Sequence, residues 1–244
     1  MIETKLYHCT DFNGLKGILE TGAFKPSYCL EQAGYLEEKP NFAFAVVCFA
    51  DLMDSELSEH MKTFKSKYYL QMSKEWARKN HLSNVVYYEE KTTGAFAYRE
   101  ITYMGLEKLL ANNKKLDNFT RGVTFLMSLL KSYKGRYWNK QSNNWSENET
   151  QFYNEREWRF IPIVKNNEHS FLEEQEYLNI GIRKQYWDEL TNNPDNLLHF
   201  TWNDIEKIGI TRENKDCIID FISSHYKQSI DNIINKLEIL QTIS

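Results

Sequence analysis

The stretch Phe42-Ala-Phe-Ala-Val-Val-Cys-Phe49 is a nearly continuous apolar run, and Asp51 bounds it on its far side. A run of this length between polar boundaries is typical of a strand that is buried on both faces of a sheet. The stretch therefore predicts a central buried strand on which the rest of the fold is built.

A shorter apolar and aromatic run precedes it at residues 6–10 and ends at Thr10-Asp11. Apolar side chains then recur at helical spacing up to Gly22, and these are Phe12, Leu15, Ile18 and Leu19. Aspartate is a common first cap of a helix, and glycine commonly ends one. The pattern predicts a strand, a cap, a short helix and a glycine stop.

Strand-like and helical segments alternate along the remaining chain without a regular strand–helix–strand repeat. Further predicted strands cover residues 23–30, 68–72, 85–88, 152–164 and 208–211, with 177–182 as a possible partner strand of 152–164. Further predicted helices cover residues 55–62, parts of 106–133, and 183–190. The sequence thus predicts an α+β fold with a mixed or antiparallel central sheet and peripheral short helices. We expect a single domain over residues 1–244, with a C-terminal helical segment 213–241 packed on the core.

Composition narrows the class of protein. The 30 Lys and Arg residues nearly balance the 34 Asp and Glu residues, giving a formal net charge of −4, which argues against a general polyphosphate-binding surface. The four cysteines (Cys9, Cys29, Cys48 and Cys217) lie far apart without C-x-x-C spacing, which favours reduced thiols. The first residues lack the apolar region of a signal peptide, and there is no uncharged stretch of about 18 residues that would span a membrane. We therefore expect a soluble, cytoplasmic protein.

The segment Phe152-Tyr-Asn-Glu-Arg-Glu-Trp-Arg-Phe160 is the most informative one for chemistry. On a strand, Glu155, Glu157 and Arg159 would share one face. Two neighbouring carboxylates resist joint ionisation unless a cation or ligand compensates, and this raises a carboxylate pKa toward the range used in acid–base catalysis. Glu157 and Glu155 are therefore candidate catalytic residues. Alternatively, Arg159 neutralises the pair, or the segment is an edge strand with a solvated polar face.

A second candidate site lies at Tyr7-His8-Cys9-Thr10. On a strand, His8 and Thr10 would share a face beside the start of a helix, a place that suits ligand contact. His8 can donate or accept a hydrogen bond near neutral pH, and the Thr10 hydroxyl could hold a ribose. Alternatively, His8 is a hydrogen-bonded core or capping residue. The other histidines show no metal-binding spacing, so we expect no metal, and the P-loop, dinucleotide and hydrolase-elbow motifs are missing from the sequence.

Three blocks together resemble the AbiGi family of abortive-infection proteins, which act in bacterial phage resistance. The blocks are Val47-Cys-Phe-Ala-Asp51 with Ser58-Glu-His60, then Ser73-Lys-Glu-Trp-Ala-Arg-Lys-Asn80 leading to Val85-Val-Tyr-Tyr88, and Phe152-Tyr-Asn-Glu-Arg-Glu-Trp-Arg-Phe-Ile-Pro162. The resemblance spans most of the chain. It implies a role in phage defence as the antitoxin partner of a nucleotidyltransferase-like toxin.

A looser resemblance joins the chain to ADP-ribosyltransferase-like folds, in which an early H-x-T strand and a late E-x-E strand form the site. His8-Cys9-Thr10 and Glu155-Arg156-Glu157 stand in those places and in that order. The resemblance implies NAD as a substrate, with Glu157 stabilising a ribosyl cation and Glu155 orienting or deprotonating the acceptor. The residues that it implies for NAD contact are His8, Thr10, Tyr87, Tyr88 and Arg159, with one of the two tyrosines stacked on nicotinamide.

Two interpretations of function stay open at the level of sequence. In the first, the chain is an NAD-dependent ADP-ribosyltransferase-like effector that modifies a phage or host macromolecule. In the second, it is a cytosolic antitoxin or regulatory partner that binds a protein toxin, with Glu155, Glu157 and Arg159 as structural salt-bridge residues. A nuclease or RNA-binding protein is a weaker third interpretation because the acidic chain carries no basic cluster, and nucleic acid stays open as a target.

Overall fold

The computed structural model describes residues 3–111, 116–140, 142–162 and 170–240. The strands are β1 (Lys5–Thr10), β2 (Ala23–Phe24), β3 (Ser27–Gln32), β4 (Asn41–Leu52), β5 (Tyr68–Met72), β6 (Ser83–Asn84), β7 (Val86–Tyr88), β8 (Leu130–Ser132), β9 (Trp138–Asn139), β10 (Asn144–Trp145), β11 (Trp158–Phe160), β12 (Phe171–Glu173), β13 (Leu198–His199), β14 (Ile205–Thr211) and β15 (Leu237–Leu240). The α-helices are α1 (Phe12–Thr21), α2 (Asp54–Thr63), α3 (Lys74–Lys79), α4 (Thr93–Ala111), α5 (Asn118–Leu129), α6 (Glu174–Leu178), α7 (Ile180–Thr191), α8 (Lys215–Tyr226) and α9 (Ile230–Ile234).

The chain divides into two compact units. The first unit comprises Met1–Phe24, Cys48–Leu82 and Leu198–Ser244, and the second comprises Lys25–Val47 and Ser83–Leu197. Strand β4, the predicted buried strand, belongs to the second unit up to Val47 and to the first unit from Cys48 onward. The expectation of a single domain over residues 1–244 stays a prediction.

In the first unit, β1 pairs antiparallel with β4 and β5, β5 pairs antiparallel with β14, and β14 pairs parallel with β15. The predicted order of strand, cap, helix and stop is confirmed at the start of this unit. The Asp11 carboxylate accepts a hydrogen bond of 2.7 Å from the Gly14 N–H and so caps α1. Gly22 ends the helix in the left-handed region with φ of 60°, which glycine adopts without steric cost.

The C-terminal segment differs in part from its prediction. Helices α8 and α9 are present, and Ile218, Ile222 and Ile233 are buried in the first unit. The last part of the predicted helical segment, however, is strand β15, whose Leu237 and Ile239 pair with Ile208 and Ile210 of β14. The predicted helix is wrong there because pairing along β14 satisfies the backbone groups of both strands.

In the second unit, the first part of β4 pairs antiparallel with β3 and with β12, and β11 pairs antiparallel with β6. Strands β7 and β8 pair in parallel, and helices α4 and α5 pack together. A cluster of buried apolar residues forms a core here, comprising Tyr28, Leu30, Ala43, Ala45, Leu172, Tyr177 and Leu190. The apolar side chains of this part of β4 are buried because the strand is paired with its neighbours and packs into this core.

One predicted strand of the second unit is confirmed only in part, and another is wrong. In place of a strand over 152–164, a 3₁₀-helix covers Phe152–Glu155, Arg156 adopts a left-handed conformation with φ of 45°, and strand geometry starts only at Trp158. Residues 163–164 of that prediction lie outside the described residues. The segment 177–182 is helical, since the Asn179 side chain accepts a hydrogen bond of 3.1 Å from the Ile182 N–H and caps α7.

The predicted α+β class, with a mixed sheet and short helices, is confirmed. All four cysteines are free thiols. Within the part of the chain that the structure describes, no helix combines the length and the apolar character needed to cross a membrane.

Candidate functional site

The charged segment around Glu157 folds as a tight turn that leads into a short strand. The 3₁₀-helix ends when the Arg156 N–H donates to the Tyr153 carbonyl over 3.1 Å, and the left-handed Arg156 then redirects the chain into β11. The Glu157 carbonyl accepts a hydrogen bond of 2.9 Å from the Val85 N–H, which fixes the start of the strand. This turn brings Glu155 close to Glu157 although the two residues do not share a strand.

Arg159 is the largest fully buried side chain among the described residues of the chain. Its Nε donates to Glu157 Oε1 over 2.8 Å, its Nη1 donates to Glu31 Oε2 over 3.0 Å, and its Nη2 also contacts both carboxylates. The same Nη1 donates to the Ser128 carbonyl over 2.6 Å. A guanidinium with its planar donors shared between two carboxylates and a carbonyl is held in one orientation.

Lys131, from β8, is the second cation of the group. Its Nζ lies 2.6 Å from Glu157 Oε2 and 3.5 Å from Glu155 Oε2, and it sits 4.5 Å from the ring centre of Phe152. Glu31 lies further away, with 3.9 Å between its Oε1 and the lysine Nζ. We call Glu31, Lys131, Glu155, Glu157 and Arg159 the buried ion cluster, and its three carboxylates and two cations leave one formal negative charge.

Burial sets the protonation of this cluster. Burial, together with the charge of Glu157, raises the pKa of Glu155 to about 7 against the opposing effect of Lys131. Burial by itself would lower the pKa of Lys131, but the charges of Glu155 and Glu157 raise it well above its ordinary value. The Oε1 atom of Glu155 is buried and has no hydrogen-bond partner within the described part of the chain. Glu155 therefore holds a proton at a higher pH than an exposed glutamate does.

The Glu157 carboxylate is buried and ion-paired on both oxygens. Its side chain is 3% exposed, and its two oxygens contact the buried Arg159 and the partly buried Lys131. The hypothesis that Arg159 neutralises the glutamate pair holds for Glu157, whereas Glu155 pairs with Lys131 instead. The alternative of a solvated polar face is wrong, since Glu157 and Arg159 are both buried. The face is buried because Lys131 and Glu31, from other strands, complete the pairing of its charges.

The two candidate tyrosines flank this cluster on β7. The Glu157 N–H donates to the Tyr87 hydroxyl over 2.9 Å, and the Tyr87 ring meets Tyr153 edge-on with 5.5 Å between ring centres. Tyr88 is buried and packs edge-on against Tyr35 at 5.2 Å. Burial raises the pKa of both Tyr87 and Tyr88. Tyr87 thus supports the backbone of Glu157.

His8 and Thr10 lie in the first unit, whereas the buried ion cluster lies wholly in the second. The His8 Nδ1 donates to the Cys48 carbonyl over 2.9 Å, and the ring packs against Phe24 and Phe49 with centre distances of 5.0 and 5.4 Å. These contacts fit the alternative of a hydrogen-bonded core histidine. The joint NAD site of His8 and Thr10 with Glu157 stays a prediction.

Sequence reasoning did not identify three contributors to the cluster. Glu31 lies on β3, Lys131 lies on β8 and Ser128 contributes only its carbonyl. No local motif marks these positions, because the sequence separation from Arg159 is 28 to 128 residues. Within the described ranges, no group of three His, Cys, Asp or Glu residues is arranged to hold a metal ion.

The fold and the site together define an α+β protein with a charge-compensated ion cluster in its second unit. A family model described as "Putative abortive phage resistance protein AbiGi, antitoxin" matches residues 22–211, and the chain belongs to this AbiGi family of abortive phage resistance proteins. The matched range contains the whole buried ion cluster and leaves out His8 and Thr10.

A curated relative has the same name. It is the abortive phage resistance protein AbiGi of Lactococcus lactis subsp. cremoris, 23% identical over 227 residues that cover 84% of this chain and 89% of the relative. No solved structure matches the chain significantly. The predicted membership of the AbiGi family is confirmed, and the predicted ADP-ribosyltransferase-like architecture stays a prediction.

Proposed function

We propose that this chain acts in abortive phage resistance as an antitoxin, a non-catalytic partner that binds and neutralises a protein toxin in the cytoplasm. The observation that carries the proposal is the state of Glu157, whose two carboxylate oxygens are ion-paired to Arg159 and Lys131 at 2.8 and 2.6 Å inside the second unit. The word "antitoxin" in the description of the matching family supports the same role.

The chemistry of ribosyl transfer argues in the same direction. A carboxylate that stabilises a ribosyl cation must contact the sugar, and catalysis requires that this contact be stronger in the transition state than in the ground state. Glu157 would first have to leave the buried Arg159 and the partly buried Lys131, and breaking a buried ion pair costs about 3–5 kcal/mol. The ion-paired Glu157 carboxylate is therefore better suited to stabilising the fold that carries a binding surface than to catalysis.

Co-expression tests the proposal. Each protein encoded beside this chain is expressed alone to find one that arrests growth, and that protein is then expressed together with the chain. We expect the chain to restore growth and to be harmless when it is expressed by itself. Growth arrest by the chain alone would contradict the antitoxin role.

A matched variant separates binding from catalysis in the same assay. Glu155→Gln keeps the size of a side chain whose carboxyl group already has a raised pKa, so the fold should persist. We expect this variant to restore growth as well as the unchanged chain does. Loss of rescue by a folded Glu155→Gln chain would indicate that the carboxyl group performs chemistry.

A second candidate function is an NAD-dependent ADP-ribosyltransferase-like effector, and one observation favours it. Glu155 combines a buried, unpartnered oxygen with a pKa of about 7, which is suited to acid–base work near neutral pH. Transfer of label from NAD to a protein or nucleic acid of phage-infected cells, abolished by Glu155→Gln, would support this candidate. If calorimetry at millimolar NAD detects no heat of binding, this candidate function is excluded.

A further inference from the structure

Helix α4 presents large apolar side chains to solvent, with Phe96 and Met104 near the middle of its exposed side and Ile101 and Leu110 at its two opposite edges. Phe96, Met104 and Leu110 are 54%, 60% and 68% exposed, and Ile101 is 40% exposed. Exposed apolar side chains of this size that lie close together commonly mark a surface that binds another macromolecule. We call the exposed side of α4 the α4 face.

The opposite side of the same helix is firmly anchored. Thr102, Gly105 and Leu109 are buried, and Gly105 lies so close to Val123 of α5 that an added Cβ would be 2.5 Å from a Val123 methyl group. The helix cannot turn its apolar exposed side inward without losing this packing. The α4 face is therefore a fixed surface.

The charges on the α4 face are arranged symmetrically about one residue. Glu100 lies four residues before Met104, and Lys108 lies four residues after it. When two such helices lie antiparallel with their Met104 residues opposite each other, each Glu100 faces a Lys108 of the other copy. Both side chains are about half exposed, with 52% for Glu100 and 46% for Lys108, so both are accessible to a second chain.

Two small residues of the face follow the same symmetry. Ala97 and Ala111 lie seven residues on either side of Met104, and both are exposed, so small residues oppose each other where two backbones approach. An isologous interface requires this kind of self-complementarity, whereas a different partner protein does not.

We propose that the α4 face binds the α4 face of a second copy of this chain, with the two helices antiparallel and Met104 at the two-fold axis. Existing ion pairs are compatible with this arrangement. Glu100 contacts Arg99 at 3.1 Å, and Lys108 contacts Asp117 at 2.6 Å, so each new Glu100–Lys108 contact extends an existing pair. The opposed charges fix the antiparallel register, and the apolar side chains supply the buried area.

Disulfide trapping at the two-fold axis is a direct test. Met104→Cys is made in a chain that also carries Cys217→Ser, because Cys217 is the exposed native thiol. Ile180→Cys in the same background is the matched control, since Ile180 is 72% exposed on α7. Under mild oxidation, we expect a covalent dimer from Met104→Cys and little from Ile180→Cys, because a residue on a two-fold axis meets its own copy.

A charge exchange tests the register. By sedimentation equilibrium, Glu100→Lys and Lys108→Glu should each weaken the dimer about tenfold or more, and the double variant should restore it, since like charges then become opposite charges again. If a single variant fails to fold, the trapping experiment still decides. The proposal would be overturned if the wild-type chain is a monomer by sedimentation equilibrium, or if Met104→Cys and Ile180→Cys crosslink equally. Loss of toxin neutralisation by α4 variants of a monomeric chain would assign the face to the toxin instead and overturn it as well.

Discussion

Glu157 Oε1 and Arg159 Nε lie 2.8 Å apart, and the two side chains are 3% and 0% exposed. Glu157 lies directly before β11 and Arg159 lies within it, and Glu31 and Lys131 complete the buried ion cluster around this pair. In sequence, this pair resembles part of a catalytic strand. In the structure, the opposite charges of Glu157 and Arg159 pair with each other inside the second unit.

Removing Arg159 should destabilise the chain strongly. Arg159→Ala leaves the carboxylates of Glu157 and Glu31 without their shared guanidinium, and an uncompensated buried charge costs about 3–5 kcal/mol. Arg159→Lys should recover only part of the loss because an ammonium group cannot bridge two carboxylates with planar donors. Urea unfolding monitored by circular dichroism measures both changes.

Arg99→Ala provides the matched control. Arg99 pairs with Glu37 at 2.9 Å, but the glutamate side chain is 67% exposed, so the loss should stay below about 1 kcal/mol. Equal losses for Arg99→Ala and Arg159→Ala would contradict the structural role of the buried ion cluster.

The stability of the chain should depend on pH through Glu155. The pKa of Glu155 is raised to about 7 in the folded chain from an ordinary value of 4.5, so the folded state holds a proton that the unfolded state releases. The contribution of Glu155 to the free energy of unfolding is therefore fully present below pH 4.5 and is lost as the pH rises through 7.

Comparison with Glu155→Gln isolates this contribution. Between about pH 5 and pH 8, the free energy of unfolding of the unchanged chain should fall by on the order of 2 kcal/mol relative to the variant, which cannot titrate. Titrating groups outside the buried ion cluster are common to both chains, so their effects cancel. Parallel pH curves for the two chains would show that Glu155 is ionised at neutral pH.

Helices α4 and α5 offer a paired glycine test. Gly105→Ala would place a Cβ 2.5 Å from Val123, and we expect a loss of about 1–3 kcal/mol from overpacking. Gly122→Ala meets no atom within 4 Å, so it should raise the free energy of unfolding by up to about 1 kcal/mol through helix propensity. Thermal unfolding of both variants checks the opposite signs, and a stabilising Gly105→Ala would mean that α4 and α5 do not pack as described.

The Tyr87 hydroxyl should contribute measurably to the position of Glu157. Tyr87→Phe removes the acceptor of the Glu157 N–H and should cost about 1–3 kcal/mol if that donor stays unsatisfied. Tyr153→Phe is the control because Tyr153 is 48% exposed, and it should change stability by less than about 0.5 kcal/mol. Indistinguishable denaturation midpoints for the two variants would count against the hydrogen bond.

The sequence predicted those elements that local chemistry specifies. The strand of β4 follows from its apolar run, and the α1 boundaries follow from Asp11 and Gly22, because each signal acts within a few residues. The predicted strand over 152–164 failed because alternation of charged residues gives no information about Arg156, whose left-handed conformation breaks the strand. The helix at 177–182 was missed because the cap at Asn179 is a single side-chain hydrogen bond.

The candidate site could be predicted only in part. Glu155, Glu157 and Arg159 are close in sequence, so their proximity in space was predictable. Glu31 contacts Arg159, and Lys131 contacts Glu157, because the fold brings strands β3 and β8 to this segment. No spacing in the sequence predicts these contacts. The pairing of the buried charges in the cluster depends on these two distant residues.

The most direct test of the central claim is growth rescue by Glu157→Gln, measured by co-expression with the growth-arresting toxin at a temperature at which circular dichroism shows the variant to be folded. If Glu157 is a structural ion-pair residue of an antitoxin, we expect the variant to be less stable than the unchanged chain but to restore growth while it is folded. A folded Glu157→Gln chain that fails to restore growth would contradict the account.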